Sequence, residues 1–428
     1  MKILVTGATG FVGSAICARL IEGGHELVRV VRPGTASAAA AGSSVEIDLA
    51  RASEPANWRH HLEGVEAVVN CAGALQDGIG RNMSAVHSRA PQALFRACEQ
   101  LGIRRVIHFS AVGIDRRQPS AFSRTKLAGD TVLMTMDLDW IILRPAVILG
   151  EAAFGSSALF RGLAAMPYLP SMPDTGKLQV VQLDDVVETV VRFIDKKAPS
   201  KLSLEIVGPQ ALEFDEVVAR YRRWLGWSPA KRYMLPRPLA SLLYRLGDLA
   251  GLLGWRPPVR STAAKEISRG AVGDPRAWTV ATGIRPLSLD DALAKRPVSV
   301  QERWFAKLYF LKPVIFGLLP LFWISTGVIS LTSGFQHGIQ LMLAGGAGTS
   351  AAASVVAGAL ADIAIGCAIA FRSTARWGLW GAILLSLFYA VAGTAILPAL
   401  WKDPLGPLVK IWPILVLHLV ALAILEER

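Results

Sequence analysis

The sequence predicts an α/β Rossmann-type domain, a doubly wound parallel sheet with a small substrate lobe, followed by an all-α bundle of four transmembrane helices. Three observations predict it. The loop Gly7-Ala8-Thr9-Gly10-Phe11-Val12-Gly13 follows a short apolar strand and opens a helix. Across residues 1–150, β-branched runs alternate with helical stretches, the pattern of a parallel sheet covered on both faces. Beyond Pro313 the chain carries long runs almost without charge.

The strands are expected at Ile3–Val5, Glu26–Val31, Ala67–Val69, Arg105–Phe109 and Trp140–Leu143, with helices such as Ser14–Glu22 and Ala90–Leu101 between them. Residues 1–150 thus form a nucleotide-binding domain. Residues 151–300 are less regular, with proline-rich stretches such as Met166–Pro173, and read as a substrate lobe and linker. Within them, Gln182–Ile194 reads as a strand end entering a helix with Asp184 or Asp185 as N-cap, and Phe214–Trp224 as a helix. In Leu239–Trp255, leucines at 239, 242, 243, 246, 249, 252 and 253 repeat at helical spacing among Arg237, Arg245 and Arg256. Such a helix either packs on the substrate lobe or lies on a membrane surface.

Residues 301–428 form the membrane domain, with spans near Pro313–Thr332, Ser350–Phe371, Trp377–Leu400 and Leu405–Leu425. Trp304, Lys307 and Lys312 precede the first span, Arg372 and Arg376 follow the second, and the loop between these two carries no Lys or Arg. That asymmetry predicts an inner-membrane protein with both termini in the cytoplasm, slightly weakened by Lys402 after the third span. The residues Lys2–Val5 read as a strand, so no signal peptide is expected, and the head is expected in the cytoplasm.

Composition narrows the function classes. The 52% hydrophobic content and mean hydropathy of +0.40 point to a membrane part. Of 45 basic and 33 acidic residues, 40 and 29 lie before Pro313, so the head is basic. This suits the anionic face of a bilayer, with membrane lipid as partner. No recognition motif accompanies the charge, so nucleic acid is not expected as a partner. Cys17, Cys71, Cys98 and Cys367 have no metal-ligand spacing and suit a reducing compartment. No metal site is visible. His60 and His61 read as surface residues, and His87 and His108 as packing residues.

The glycine loop carries the firmest chemistry. Glycine permits the tight turn and the close approach of backbone to phosphate, and the helix N-terminus supplies unpaired N–H groups and a positive dipole. The second strand ends in Arg32, where an NAD-specific site usually carries Asp or Glu. A 2′-phosphate would find a cation there, so NADP(H) is favoured and NAD(H) is the alternative; Arg32 otherwise stacks on adenine or faces solvent.

Taken in order, Thr6–Gly13, Asp48-Leu49, Asn70-Cys71-Ala72-Gly73, Phe109-Ser110-Ala111, Phe122-Ser123-Arg124-Thr125-Lys126 and Leu143-Arg144-Pro145 resemble an extended or atypical short-chain dehydrogenase/reductase of the NAD(P)-dependent epimerase, NAD(P)H-binding type, over roughly residues 1–300. The resemblance implies Asp48 and Leu49 beside adenine, and Asn70 to Gly73, including Cys71 and Ala72, beside the ribose. It places Pro145–Ile148 near the nicotinamide, and Ser110 at the active-site hydroxyl position. It also implies a catalytic Tyr and Lys at i and i+4 on one helix face. Lys126 is present, but the Tyr position is Phe122. A phenyl ring has no proton to exchange with a substrate oxygen, and Ser110 and Ser123 are weak acids by comparison. Lys126 can still hold the ribose, so nucleotide binding survives this departure better than catalysis. Reduction of a carbonyl would need another acid, such as Tyr168 or water.

The four spans, joined through Val300–Phe305, resemble a DoxX-like membrane module, a family linked in part to quinone-coupled redox chemistry. Asp362, near the middle of the second span, is a candidate functional carboxylate with His418 as a prospective partner, or else a protonated group gluing helices. Three functions are therefore weighed. The first is a nucleotide-binding redox sensor or assembly factor, similar in logic to the reductase-like accessory subunit of respiratory complex I. The second is an active oxidoreductase on a quinone, sterol-like or other lipidic substrate, with a quinone or respiratory-chain component as partner. The third is a transport-like or structural role for the spans.

Overall fold

The computed structural model describes residues 1–34, 43–77, 82–404 and 406–425. They divide into two compact units, Met1–Leu249 with Pro257–Lys307, and Ala250–Arg256 with Leu308–Arg428.

The first unit opens with β1 (Lys2–Thr6), α1 (Phe11–Glu22), β2 (Glu26–Val31), β3 (Ser43–Glu46) and β4 (Ala67–Asn70). Then follow α2 (Ala90–Leu101), β5 (Arg105–Phe109), α3 (Ala121–Met134), β6 (Asp139–Pro145) and β7 (Val147–Leu149). The chain continues through α4 (Ser156–Ala164), β8 (Tyr168–Ser171), β9 (Val180–Gln182), α5 (Leu183–Ile194), β10 (Leu202–Ile206) and α6 (Phe214–Trp224). It closes with β11 (Lys231–Met234), α7 (Arg237–Leu252), α8 (Ser261–Arg269), α9 (Arg276–Thr282), α10 (Leu289–Ala294) and α11 (Val300–Leu308). The last three residues of α7 and the last of α11 belong to the second unit.

Seven strands form one sheet in the order β10-β6-β5-β4-β1-β2-β3, all neighbours parallel. The order reverses between β1 and β4, the switch point at which such sheets open a crevice beyond their carboxyl ends. The apolar alternation explains the two layers of helix. Ile3, Val5, Ile107 and Ile141 pack on one face with α1 and α5, while Leu4, Val68, Val106 and Ile142 pack on the other with α2. Both faces are buried, hence the nearly continuous apolar runs.

The expected strands and the helices Ala90–Leu101 and Phe214–Trp224 are present. Two strands of the sheet fall outside the expected set. β3 is four residues with little hydrophobicity, and β10 returns to the sheet beside β6 from within the region read as substrate lobe. The cap of α5 is corrected as well: Gln182 is the N-cap, and Asp184 and Asp185 lie in the first turn, where their charge complements the helix dipole.

The second unit contains α12 (Leu311–Leu331), α13 (Phe335–Ala344), α14 (Ala351–Ala370), α15 (Ala375–Ile396) and α16 (Ile411–Leu425). Among the described residues three helices, not four, are long and apolar enough to cross a membrane. The fourth expected span is α16, only 15 residues, about 22 Å against a hydrocarbon core of roughly 30 Å. The loop expected between the first two spans holds the short helix α13. Small residues set the spacing: a Cβ on Gly327 would meet the Ala359 carbonyl at 2.5 Å, so α12 and α14 approach backbone to backbone.

Trp278 of α9 is fully buried among α5 and the sheet, and its Nε1 donates to Thr189 Oγ1 at 2.9 Å. Trp278→Ala is expected to destabilise the first unit by about 3–5 kcal/mol. Trp278→Phe, which keeps most of the packing, should cost less. Denaturant unfolding of the full chain in detergent, followed by far-ultraviolet circular dichroism, measures both.

Candidate functional site

The carboxyl ends of β1, β4, β5 and β6 meet the N-termini of α1 and α3. At β1 the backbone turns through Gly7, whose φ of +66° favours glycine, and Gly10 caps α1 with its N–H bonded to Gly7 O at 2.9 Å. A Cβ on Gly7 would stand 2.8 Å from the Cys71 carbonyl, and one on Gly13 would collide with Gly7 O. No side chain fits in this cradle. The first-turn amides of α1, from Phe11 to Gly13, lack intrahelical acceptors by construction. Thr9 is exposed at the tip, and the Phe11 ring stacks on Phe154 with centroids 5.5 Å apart. The cradle therefore fits a pyrophosphate: a backbone-only wall beside a helix N-terminus.

The other expected residues ring this loop. Arg32 is exposed directly after β2. The Asp48 carboxylate accepts from Ala50 N at 3.0 Å, and Leu49 helps line a narrow crevice with Thr6, Asn70 and Ala72. Cys71 N donates to Thr6 O at 3.2 Å, fastening the β4 loop to β1. Gly73 lies under Lys126, since a Cβ there would be 3.6 Å from Nζ. Pro145 is buried at the end of β6, where its carbonyl accepts from Val112 N.

On α3, Lys126 is buried and its Nζ donates to Phe109 O at 2.7 Å. Burial lowers its pKa from the ordinary lysine value to about 8, with Asp130 opposing the shift. Phe122 is half-buried, its ring edge-on to His87 at 5.5 Å. His87 sits on a π-helical turn, Ala85–Arg89. Its Nε2 accepts from Ala74 N and its Nδ1 faces Thr125 Oγ1, both at 2.9 Å, and burial pushes its pKa down to about 2. It is a neutral strut with both nitrogens engaged. Ser123 is fully buried, and its hydroxyl donates to Glu266 Oε1 at 3.0 Å. Glu266, from α8, also accepts from Ser120 and is clamped by Arg269 at 3.0 Å. Tyr168, the other acid considered, is exposed on β8.

Ser110 faces inward. Its hydroxyl donates to Asp130 Oδ2 at 2.9 Å, and Arg144 Nε and Nη2 reach the same oxygen at 3.2 and 3.1 Å. Asp130 has no exposed surface. Burial alone would raise its pKa, but His108, Ser110 and Arg144 together hold the carboxyl below its usual range. The network extends across the sheet. Thr6 Oγ1 donates to Asn70 Oδ1 at 2.5 Å, Asn70 Nδ2 donates to His108 Nδ1 at 2.9 Å, and His108 Nε2 lies 3.4 Å from Asp130 Oδ1. Sequence reading missed Asp130 and Glu266 and took His108 for a packing residue. The one signal available was spacing: Asp130 follows Lys126 by four, on the same face of α3.

In the second unit the partner of Asp362 is not His418. Tyr389 OH donates to Asp362 Oδ1 at 2.9 Å, and His418 Nε2 instead accepts from Trp323 Nε1 at 2.9 Å. Helix position decides this, because α14 packs on α15, which carries Tyr389.

Residues 7–165 match the NAD(P)H-binding family, and residues 320–419 match the DoxX-like family. The chain joins an NAD(P)H-binding domain to a DoxX-like domain. Its head is similar to the ceramide reductase of Caulobacter vibrioides, 23% identical over 238 residues, covering 55% of this chain and 74% of that protein. It is similar also to the photosystem II assembly factor Ycf39 of Synechocystis, 24% identical over 232 residues, 53% of this chain and 68% of the other. The fold matches that of the Bordetella bronchiseptica enzyme WbmG, solved in complex with NAD. That match has a TM-score of 0.53 at 16% identity and covers 69% of this chain and 92% of WbmG.

Two outcomes follow from the geometry. Gly13→Ala forces its Cβ onto Gly7 O, at about 1–3 kcal/mol of strain; nucleotide affinity measured by calorimetry should fall roughly 5- to 150-fold. Because Lys126 is charged in the unfolded chain up to its normal pKa but loses its proton near pH 8 when folded, its burial penalty is relieved as pH rises above about 8. The stability of the natural protein relative to Lys126→Met, followed by denaturant unfolding, should therefore rise between about pH 8 and pH 10.

Proposed function

We propose that this chain is a membrane-anchored NADP(H)-binding protein with a redox-sensing or assembly role in a respiratory or quinone-linked setting, rather than a Tyr-dependent carbonyl reductase. The observation that carries the proposal is the pairing of Phe122 with an inward-facing Ser110. The first removes the phenolic proton, and the second commits the remaining hydroxyl to Asp130 at 2.9 Å. Ser123 and His87 cannot replace them, since Ser123 is engaged by Glu266 and His87 by Ala74 and Thr125.

Binding is supported residue by residue. Gly7, Thr9, Gly10, Phe11, Val12 and Gly13 would hold the pyrophosphate. Asp48 and Leu49 would flank adenine. Cys71, Ala72, Gly73 and Lys126 would hold the ribose beside the nicotinamide, with Pro145 closing the far side. Arg32, exposed after β2, favours a 2′-phosphate and hence NADP(H) over NAD(H). When bound, the dinucleotide would supply a hydride; among the described residues the chain's own groups orient it, with the Lys126 ammonium beside the ribose and no phenol to donate a proton. Arg372 and Arg376, set against the uncharged loop before α14, favour a cytoplasmic head at the inner membrane.

The second reading is an active NAD(P)H-dependent oxidoreductase on a quinone or other lipidic substrate, for which Lys126 and water would suffice. The likeness to a protein named ceramide reductase and the apolar helices of the same chain favour it. A quinone-type hydride acceptor needs less help from an acid than a ketone does.

Phe122→Tyr separates the readings. Restoring the phenol four residues before Lys126 should raise NADPH-dependent reduction of carbonyl compounds by roughly 10²–10⁴-fold over a near-zero background. Substantial carbonyl turnover by the natural protein, unimproved by the tyrosine, would sink the first reading. Arg32→Ala should weaken NADPH binding by about tenfold or more, the scale of a charge-assisted hydrogen bond, and leave NADH unchanged. Fluorescence titration with both nucleotides checks this.

A further inference from the structure

The leucine repeat of α7 is not packed on the substrate lobe. Within the first unit, Leu239, Leu242, Leu243, Leu246 and Leu249 are 43%, 50%, 40%, 51% and 55% exposed. Spacings of three and four place them on one side of the helix. The opposite side is made of small residues: Ala240 is buried, and a Cβ on Gly247 would collide with Val259 O. The helix is thus pressed close to its own domain by Ala and Gly and presents its large apolar side chains outward. The segment before it does the same, with Tyr233 57% and Met234 65% exposed. Exposed basic residues accompany the stripe: Lys231, Arg232, Arg237 and Arg245. An apolar face this long beside cations needs an occupant.

The far end of the same helix identifies the occupant. Ala250–Arg256 belongs to the second unit. There Leu253 O accepts from Arg372 N at 2.9 Å, and Trp255 Nε1 donates to Ala370 O at 2.8 Å. The Trp255 ring lies 4.6 Å from that of Phe316, with the Arg372 guanidinium 5.7 Å from its centre. Arg372 Nη2 donates to Leu425 O at 2.8 Å. The last residues of α14 and α16 and the first turns of α12 therefore meet here, at one end of the helical bundle. A tryptophan and an arginine at the end of apolar helices mark the headgroup level of a bilayer.

We infer that α7 is a membrane-surface helix: its leucine face enters the lipid at the headgroup boundary while Arg245 at its margin and Lys231 and Arg232 of the preceding segment meet lipid phosphates. The occupant is the bilayer itself rather than a second protein. The inference rests on the membrane reading of the second unit and not on the nucleotide reading of the first. Its chemistry is that of a basic amphipathic helix, apolar on one side and cationic at the margins, lying in the interface plane.

The test is site-directed spin labelling of the full chain in nanodiscs of phosphatidylethanolamine and phosphatidylglycerol. Labels are placed by Leu242→Cys, Leu246→Cys and, on the exposed surface of α1, Ala18→Cys, each in a Cys367→Ser background. Labels at 242 and 246 should collide more with oxygen than with a water-soluble nickel chelate, and the label at 18 should show the reverse ratio. A label at 246 as open to nickel as that at 18 would overturn the inference, because the face then lies in water. Shielding of 242 and 246 from both agents would overturn it too, because a protein then covers the face. Fluorescence titration of each labelled variant with NADPH reports the fold and the nucleotide reading independently.

Discussion

Asp130 is a carboxylate with no exposed surface, and the organisation of the candidate site follows from the need to satisfy it. An unpaired buried carboxylate is costly enough to be excluded from a stable core. Here Arg144 supplies the countercharge from β6, Ser110 a hydroxyl from the end of β5, and His108 a ring nitrogen at 3.4 Å. Those partners come from two neighbouring strands and hold α3 in register above the sheet. Lys126, one turn before Asp130, is thereby fixed over Phe109 O. Asn70 and Thr6 carry the same polar chain to the foot of the glycine loop. Binding geometry on one side and proton supply on the other are set by one buried group.

That arrangement rests the nucleotide cradle and the proton supply of the proposed function on different parts of the chain. The cradle depends on backbone: the positive φ of Gly7 and the contact between Gly13 and Gly7 O. Nothing in it depends on Phe122. Proton transfer depends on side chains, and among the described residues the nearby hydroxyls and the His87 ring are committed elsewhere. Ser110 serves Asp130, Ser123 serves Glu266, and His87 braces the π-helical turn against α3.

Much of this was legible in the sequence, and what was not has a common physical origin. Local pattern predicted the loop and the five main strands, because each is a matter of neighbours along the chain, and the family resemblance marked Phe122 as the departure at the Tyr position. The Asp130 network was hidden because its bonded partners stand up to 64 positions apart, as Thr6 and Asn70 do, and only the sheet order joins them. Glu266 was hidden for the same reason, reaching Ser120 across 146 positions. β10 was missed because returning to a sheet is a tertiary event. Hydropathy placed the apolar stretches of the membrane unit but overestimated α16, since composition does not say where the helix starts. It also paired Asp362 with His418, whereas the packing of α14 on α15 gives it Tyr389.

On the proposed reading the head holds NADP(H) firmly while, among the described residues, no phenolic acid stands beside it for carbonyl chemistry. The most direct measurement is the redox state of nucleotide retained by the full chain in proteoliposomes made with native lipids, read from the fluorescence of the reduced nicotinamide over time. Near-stoichiometric NADPH that stays bound and reduced when carbonyl compounds are supplied is the expected result. Protein that retains no nucleotide, or bound NADPH that is consumed through repeated turnovers of a carbonyl substrate, would contradict it.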